Sequence, residues 1–181
     1  MAQWQGVDES VEKGVKWLKS MQNENGSYGK WGLGSTCLAV IALLKGKVLN
    51  TEPAVARAVS YILNTQPLDS VYFRSLSIMA LVANNEKTPE IFERVSSDVK
   101  WLVEHQEKNR DNEFFGGWGS VHDSETTESS KNQMAIVSLY AGVLWGMNVS
   151  QATLERAISW YRKKFNLLNN GNNYESKDLY S

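Results

Sequence analysis

The feature that most constrains this chain is an alternation between two kinds of helical segment. Segments near residues 8–22, 51–65, 88–104 and 150–168 carry apolar side chains on one face and charged side chains on the other. Between them, segments 35–45, 71–84 and 134–141 are apolar almost all round. A helix of the second kind is buried on every side. The pattern therefore predicts two layers, with the amphipathic helices outside and the apolar helices inside.

The predicted fold class is all-α, and the 181 residues are expected to form a single domain. Short connections make successive helices antiparallel neighbours. The expected hairpins span about residues 8–45, 52–84 and 88–147, and half a hairpin follows at about 150–168. A glycine-rich stretch, residues 109–127, is expected to be a long loop. Long loops in compact helical proteins often have a functional role.

The ends of the amphipathic segments repeat one motif, an aromatic residue followed five positions later by glutamine. The copies are Trp17 with Gln22, Tyr61 with Gln66 and Trp101 with Gln106, while Phe165 takes the glutamine position after Trp160. We expect each glutamine amide to bond to backbone groups at helix ends and the aromatic ring to cover those bonds. Packing between hairpins then accounts for much of the high tryptophan content.

These residues resemble a known pattern. Lys13-Gly14-x-x-Trp17-Leu18-x-x-x-Gln22-x-x-x-Gly26-x-Tyr28 resembles the QW motif of squalene and oxidosqualene cyclases, with Tyr28 where that motif usually has tryptophan. A second copy runs Trp101-Leu102-x-x-x-Gln106 and continues after a longer gap as Gly116-Gly117-Trp118. Residues 130–139 are similar to the inner-helix segment of prenyltransferase and squalene-oxidase repeats. The resemblance implies a partial α/α toroid, since the chain has fewer hairpins than a closed ring of that superfamily.

The resemblance also indicates what a catalytic member would need. Class II terpene cyclases protonate their substrate with an Asp-x-Asp-Asp motif, which this sequence lacks. The nearest acidic cluster, residues 123–128, lies at the entrance to the sixth helix, where carboxylates also cap helices. Capping is the favoured interpretation. If the chain is an enzyme, Asp123 or Glu125 is the expected acid.

A metal site is not expected. Prenyltransferases of the superfamily hold zinc with Asp, Cys and His, but Ser35 stands where they have an aspartate two positions before Cys37. The sequence contains only two histidines, His105 and His122. Because zinc needs three or four ligands, neither a metal nor another cofactor is predicted, and Cys37 is expected to be a small buried residue.

The expected function is a binding or scaffold module that holds an apolar molecule of the isoprenoid or lipid class. The candidate ligand-binding residues are Phe115, Trp118 and His122 in the long loop and Tyr72 and Tyr140 on the apolar helices. The alternative is an enzyme similar to a terpene cyclase or prenyltransferase, or a fragment of one. An incomplete ring also predicts either a second copy of the chain or further C-terminal repeats that complete it.

Charge and hydropathy argue against other kinds of partner. The formal net charge is −1 and no basic stripe is present, so nucleic acid is not an expected partner. The longest apolar run, Cys37 to Leu44, is too short to span a bilayer. The N-terminus lacks a basic region followed by an apolar one, so no signal peptide is expected. A cytoplasmic location is the default expectation, although a domain of a larger secreted protein would have the same sequence features.

Overall fold

The computed structural model describes residues 5–30, 32–66, 68–120, 123–127 and 129–169. These residues form seven helices and one short pair of strands. The helices are α1 (Gln5–Ser20), α2 (Leu33–Lys45), α3 (Pro53–Asn64), α4 (Val71–Asn84), α5 (Pro89–Glu104), α6 (Ser129–Trp145) and α7 (Gln151–Asn169). The strands are β1 (Gly119–Ser120) and β2 (Asp123–Thr127). The prediction of a helical fold is confirmed, and within the described residues the strand pair is the one departure from it.

The strand pair lies inside the stretch that the glycine pattern predicts as a loop. Gly119 pairs with Thr127 and Ser120 with Asp123, in antiparallel register. Thr126 and Thr127 are β-branched and favour extended backbone. Pairing also satisfies backbone groups that a bare loop leaves to water. Because β1 has two residues and β2 has five, the two strands are too short to show a clear alternation of polar and apolar residues.

Helices α2, α4 and α6 form an inner layer with α4 in the middle, where it packs against both neighbours. On the outer side, α3 packs on α2 and α5 packs on α4, while α1 and α7 lie at the two ends of the outer layer. Burial follows this arrangement, because Val40, Ile78 and Leu139 of the inner helices are fully buried. The outer helices bury only one face each, as their charge pattern predicts.

Local residues account for several helix boundaries. Pro53 and Pro89 stand at the first positions of α3 and α5, where a missing N–H costs nothing. The Thr88 hydroxyl caps α5 by accepting from the Ile91 N–H at 3.4 Å. Asn85 ends α4 in the left-handed conformation with φ 57°, which asparagine tolerates better than most residues.

A glutamine at the end of α1 joins three pieces of backbone. Gln22 Nε2 donates to the carbonyl oxygens of Gly26 at 3.1 Å and Ala54 at 2.8 Å. Gln22 Oε1 accepts from Arg57 Nη2 at 2.6 Å. Gly26 has φ +87°, and a Cβ there would lie 2.4 Å from the Arg57 carbonyl oxygen. The end of α1, the following loop and the first turn of α3 are thereby held together. We call such a unit of glutamine, glycine loop and arginine a Gln staple.

A second Gln staple follows α5. Gln106 Nε2 donates to the carbonyl oxygens of Gly116 and Thr153, both at 3.0 Å. Gln106 Oε1 accepts from Arg156 Nε at 2.9 Å. Gly116 has φ +88°, nearly the value of the corresponding glycine in the first staple. The chain therefore builds the same junction twice, once between α1 and α3 and once between α5 and α7.

Each Gln staple ends in a buried aromatic residue, Tyr28 or Trp118. The Tyr28 N–H donates to Thr36 Oγ1 and the Trp118 N–H to Asn132 Oδ1, so each loop is tied to the next inner helix. The Trp118 indole N–H also donates to the Leu102 carbonyl at 2.7 Å. Burial raises the pKa of the Tyr28 phenol, whose oxygen has no hydrogen-bond partner within the described residues. Tyrosine thus fills the tryptophan position of the motif without reproducing its indole hydrogen bond.

The junction between α3 and α5 is built differently. Gln66 matches the motif, but its side chain is exposed. Arg94 of α5 takes over the contact with the end of α3, where its Nη1 donates to the carbonyl oxygens of Ile62 at 2.8 Å and Thr65 at 3.0 Å. A cation from the later helix thus replaces the glutamine of the earlier one.

Asp98 makes this replacement stable. Its carboxylate is fully buried and accepts from Arg94 Nε at 2.9 Å and from Arg74 Nη1 at 2.8 Å. Arg74 also donates to the Leu68 carbonyl at 2.9 Å, which fixes the start of α4. Two arginines and one aspartate therefore join α3, α4 and α5 through charge-assisted hydrogen bonds.

Candidate functional site

The most exposed apolar surface of the inner layer lies on α6. Val137, Tyr140 and Leu144 follow one another at spacings of three and four residues, so they share one side of the helix. Tyr140 is 57% exposed and Leu144 is 72% exposed. The buried residues of α6, such as Ala135 and Leu139, lie on the opposite side and contact the rest of the fold.

The other inner helices contribute fewer exposed residues. Leu38 is exposed on α2, and Tyr72 at the start of α4 is half-buried. The Tyr72 hydroxyl donates to the hydroxyl of Ser130 in the first turn of α6, which brings the beginnings of these two helices together. We call the set Leu38, Tyr72, Val137, Tyr140 and Leu144 the inner face.

The two candidate tyrosines and the candidate loop residues occupy different parts of the fold. Tyr72 and Tyr140 belong to the inner face. Trp118 is fully buried and holds the second Gln staple, so it is part of the core. Phe115 is half-buried and lines a pocket of about 510 Å³ between the loop and α7, with Arg110 and Arg156. Of the described candidate residues in the loop, Trp118 thus belongs to the core and Phe115 to a pocket that neither tyrosine lines.

The candidate acids lie at the edge of what the structure describes. Asp123 and Glu125 are in β2, where their backbone positions are described and their side chains are not. The candidate His122 lies outside the described residues. The backbone alone places both acids immediately before α6, as the sequence predicts for the entrance to that helix.

A groove of about 630 Å³ runs between α3 and α5 on the outer side of the molecule. Its lining includes the carboxylates Glu86, Glu90 and Glu93 together with Arg94. None of the candidate site residues lines it. An apolar ligand in this groove would have to desolvate these carboxylates, which makes the groove a poor site for one.

The described residues contain no group of three His, Cys, Asp or Glu side chains that could hold a metal ion. Cys37 is fully buried, and its burial raises the pKa of the thiol from 9.0 to about 12. A thiol that remains protonated is a poor metal ligand and a poor nucleophile. Cys37 is therefore a buried core residue, as its position in an apolar helix predicts.

No model of a known protein family matches this chain. No solved structure matches it either. Among the helices that the structure describes, none is both long enough and apolar enough to cross a membrane.

Sequence reasoning missed two sets of residues. Leu38, Val137 and Leu144 were indistinguishable from core residues, because an apolar helix shows no polar face that marks its open side. Arg57 and Arg156 were missed as partners of the glutamines. A signal for them exists, since each precedes an aromatic residue of the repeat by four positions.

Proposed function

We propose that this chain is a non-catalytic helical repeat module whose inner face binds an apolar molecule of the isoprenoid or lipid class. The observation that carries the proposal is the row Val137, Tyr140 and Leu144, exposed on the inner-layer helix α6. Isolated exposed leucines are ordinary, but a row of large apolar side chains marks an interaction surface. Covering such a row gains about 25 cal/mol for each Å² of apolar surface removed from water.

The proposal includes membership of the α/α toroid class. The two Gln staples support it, because each joins the end of one outer helix to the start of the next outer helix. Such junctions hold outer helix ends at a set distance while the inner helices pack closely. An array with this asymmetry curves, and its inner face becomes concave.

A binding titration tests the proposal directly. Farnesol and geranylgeraniol, added to the full chain in a calorimeter, are expected to bind to the wild type. Leu144→Asp is expected to weaken binding at least tenfold, since a carboxylate on the inner face must be desolvated when the ligand covers it. The matched control is Leu49→Asp, which changes a leucine that is 67% exposed in the connection between α2 and α3. Absence of binding to the wild type, or equal weakening by both changes, contradicts the proposal.

A second experiment addresses catalysis. The wild type and Asp123→Asn are incubated with squalene and with isoprenoid diphosphates, and the products are analysed by mass spectrometry. We expect unchanged substrate with both proteins. Turnover by the wild type that is lost in Asp123→Asn overthrows the non-catalytic proposal and establishes the cyclase-like alternative.

A further inference from the structure

Three outer helices carry residues of the same three kinds at the same spacing. Each has a small or hydroxyl residue, a basic residue three positions later and an aromatic residue four positions after that. The sets are Ser10, Lys13 and Trp17 on α1, Ala54, Arg57 and Tyr61 on α3, and Thr153, Arg156 and Trp160 on α7. Each of the three helices therefore has an equivalent surface. On α3 and α7 that surface is covered by a Gln staple of the same chain.

The filled surfaces show what the set does. On α3 and α7 the first position offers its carbonyl to a glutamine amide, and the arginine donates to the same glutamine. The aromatic residue then lies against a glycine of the incoming loop. A Cβ on Gly117 would be 2.7 Å from Trp160 Nε1, and one on Gly32 would be 3.1 Å from the Tyr61 hydroxyl. The set is therefore a receptor for a glycine-containing loop that follows another outer helix.

On α1 the same positions are open. Trp17 is 60% exposed, whereas its counterpart Trp160 is 1% exposed. Lys13 forms a surface ion pair with Glu9 at 2.7 Å, and both side chains are largely exposed. Tryptophan is highly buried on average and is enriched at interfaces, so the exposed Trp17 in the last turn of α1 is typical of an interface. We call Ser10, Lys13 and Trp17 the open socket.

An apolar groove continues the open socket. It has a volume of about 260 Å³ and is lined by residues of α1, by the last turn of α2 and by the glycine that follows α2: Val11, Gly14, Val15, Leu18, Ala42, Lys45 and Gly46. The counterparts of Val11, Gly14 and Leu18 on α3 are all fully buried; they are Val55, Ala58 and Ile62. The groove is therefore the space that a packed neighbour occupies on α3.

The sequence contains one more segment of the kind that fills these surfaces. Residues 170–181 follow α7 and read Asn-Gly-Asn-Asn-Tyr-Glu-Ser-Lys-Asp-Leu-Tyr-Ser. Gly171 and Tyr174 repeat the glycine and aromatic residue of the first staple loop, Asn25-Gly26-Ser27-Tyr28, with one additional residue between them. Phe165, which is 64% exposed, stands at the glutamine position. At this position we therefore expect an apolar contact of Phe165 in place of the hydrogen bonds that Gln22 and Gln106 form in the two Gln staples.

Within one chain, α1 and α7 lie at opposite ends of the outer layer, because α1 packs on α2 and α7 packs on α6, with α4 between those two inner helices. We propose that the open socket on α1 binds the C-terminal segment 170–181 of a second copy of this chain, head to tail. This inference does not depend on the ligand of the inner face.

A head-to-tail contact uses two different surfaces, and this gives a decisive test. Sedimentation velocity over a range of concentrations is measured for the wild type, Trp17→Ser in the socket and Tyr174→Asp in the segment. The wild type is expected to associate as concentration rises. Each variant alone is expected to sediment as a monomer, because each lacks one of the two surfaces.

The mixture of the two variants identifies the geometry. Tyr174→Asp retains an intact socket and Trp17→Ser retains an intact segment, so an equimolar mixture is expected to form a heterodimer and nothing larger. A wild type that stays monomeric at every concentration overturns the proposal. Association of either variant alone to the same extent as the wild type also overturns it. A mixture that forms no heterodimer does so as well.

Two further variants separate folding from binding. Val11→Asp places a carboxylate at a partly exposed position of the apolar groove and is expected to lose association while keeping the circular dichroism of the wild type. Leu68→Ser changes an exposed leucine in the connection between α3 and α4, outside the socket and its groove, and is expected to associate like the wild type. Association that survives in Val11→Asp, or that is lost in Leu68→Ser with the fold intact, also overturns the proposal.

Discussion

The carbonyl oxygen of Arg156 occupies the space next to Gly116 so closely that a Cβ on the glycine would be 2.0 Å from it. Gly26 and Arg57 have the same relationship in the first Gln staple, at 2.4 Å. Both glycines have positive φ, a conformation that L side chains rarely adopt. Each Gln staple therefore requires glycine for two independent reasons, backbone conformation and space.

Replacing Gly116 by alanine is expected to lower the free energy of unfolding by at least about 2 kcal/mol, through left-handed strain and steric overlap. Urea denaturation at low micromolar protein concentration measures the change. The matched control is Gly14→Ala, because Gly14 lies inside α1 and a Cβ there meets nothing within 4 Å. That control is expected to gain about 0.5–1 kcal/mol from helix propensity. Equal effects of the two changes contradict this account.

The two glutamines Gln106 and Gln66 are expected to differ sharply. Gln106→Ala removes two donated hydrogen bonds and leaves buried carbonyl oxygens without their partner, a loss of about 2–3 kcal/mol. Gln66→Ala changes an exposed side chain and is expected to stay within about 0.5 kcal/mol. Thermal and urea denaturation of both variants provide the comparison. A similar loss for Gln66→Ala means that the motif acts at all three junctions.

Asp98 is expected to be among the least replaceable residues of the core. Asp98→Asn removes the buried countercharge of Arg94 and leaves Arg74 only the longer contact with the exposed Asp69 at 3.4 Å, so it is expected to cost about 3–5 kcal/mol. The control is Glu104→Gln, which breaks the exposed pair with Lys100 at 3.8 Å and is expected to cost less than about 0.5 kcal/mol. The denaturant midpoints of the two variants measure the two losses of stability. A small loss for Asp98→Asn shows that solvent reaches the two arginines.

Cys37 is expected to be unreactive in the folded protein. With its pKa raised from 9.0 to about 12, the thiolate fraction at pH 8 falls about a thousandfold. Labelling by a disulfide reagent is expected to be slow in buffer and fast in urea, where the chain is unfolded. Labelling of the native protein at the unfolded rate contradicts the placement of Cys37 in the core.

The raised pKa of Cys37 also makes the free energy of unfolding depend on pH in the alkaline range. Between about pH 9 and 12 the folded protein keeps the Cys37 proton while the unfolded chain releases it. The contribution is therefore fully present below pH 9 and is lost as the pH rises through 12. Comparing the pH dependence of unfolding in the wild type and Cys37→Ala isolates this contribution from the tyrosines and lysines. If the free energy of unfolding changes with pH equally in the two proteins, Cys37 makes no such contribution.

Local patterns predicted most of the secondary structure. Periodicity located all seven helices, and Pro53, Pro89 and Thr88 marked helix starts because proline and a capping hydroxyl act within one turn. The strands β1 and β2 were not predicted, since a strand pair depends on a partner and not on its own residues alone. The exposed row on α6 was not predicted either, because an apolar helix looks alike on every side.

The sequence by itself determined the helices, their two classes and the repeated residues at the ends of the outer helices. Only the tertiary structure decided which copies of the motif make contact. Gln22 and Gln106 lie within about 3 Å of carbonyl oxygens on a later helix, whereas Gln66 does not bridge its junction and Arg94 does. A hydrogen bond needs its partner at close range and in line. That condition depends on where residues more than thirty positions away are placed, which no local pattern contains.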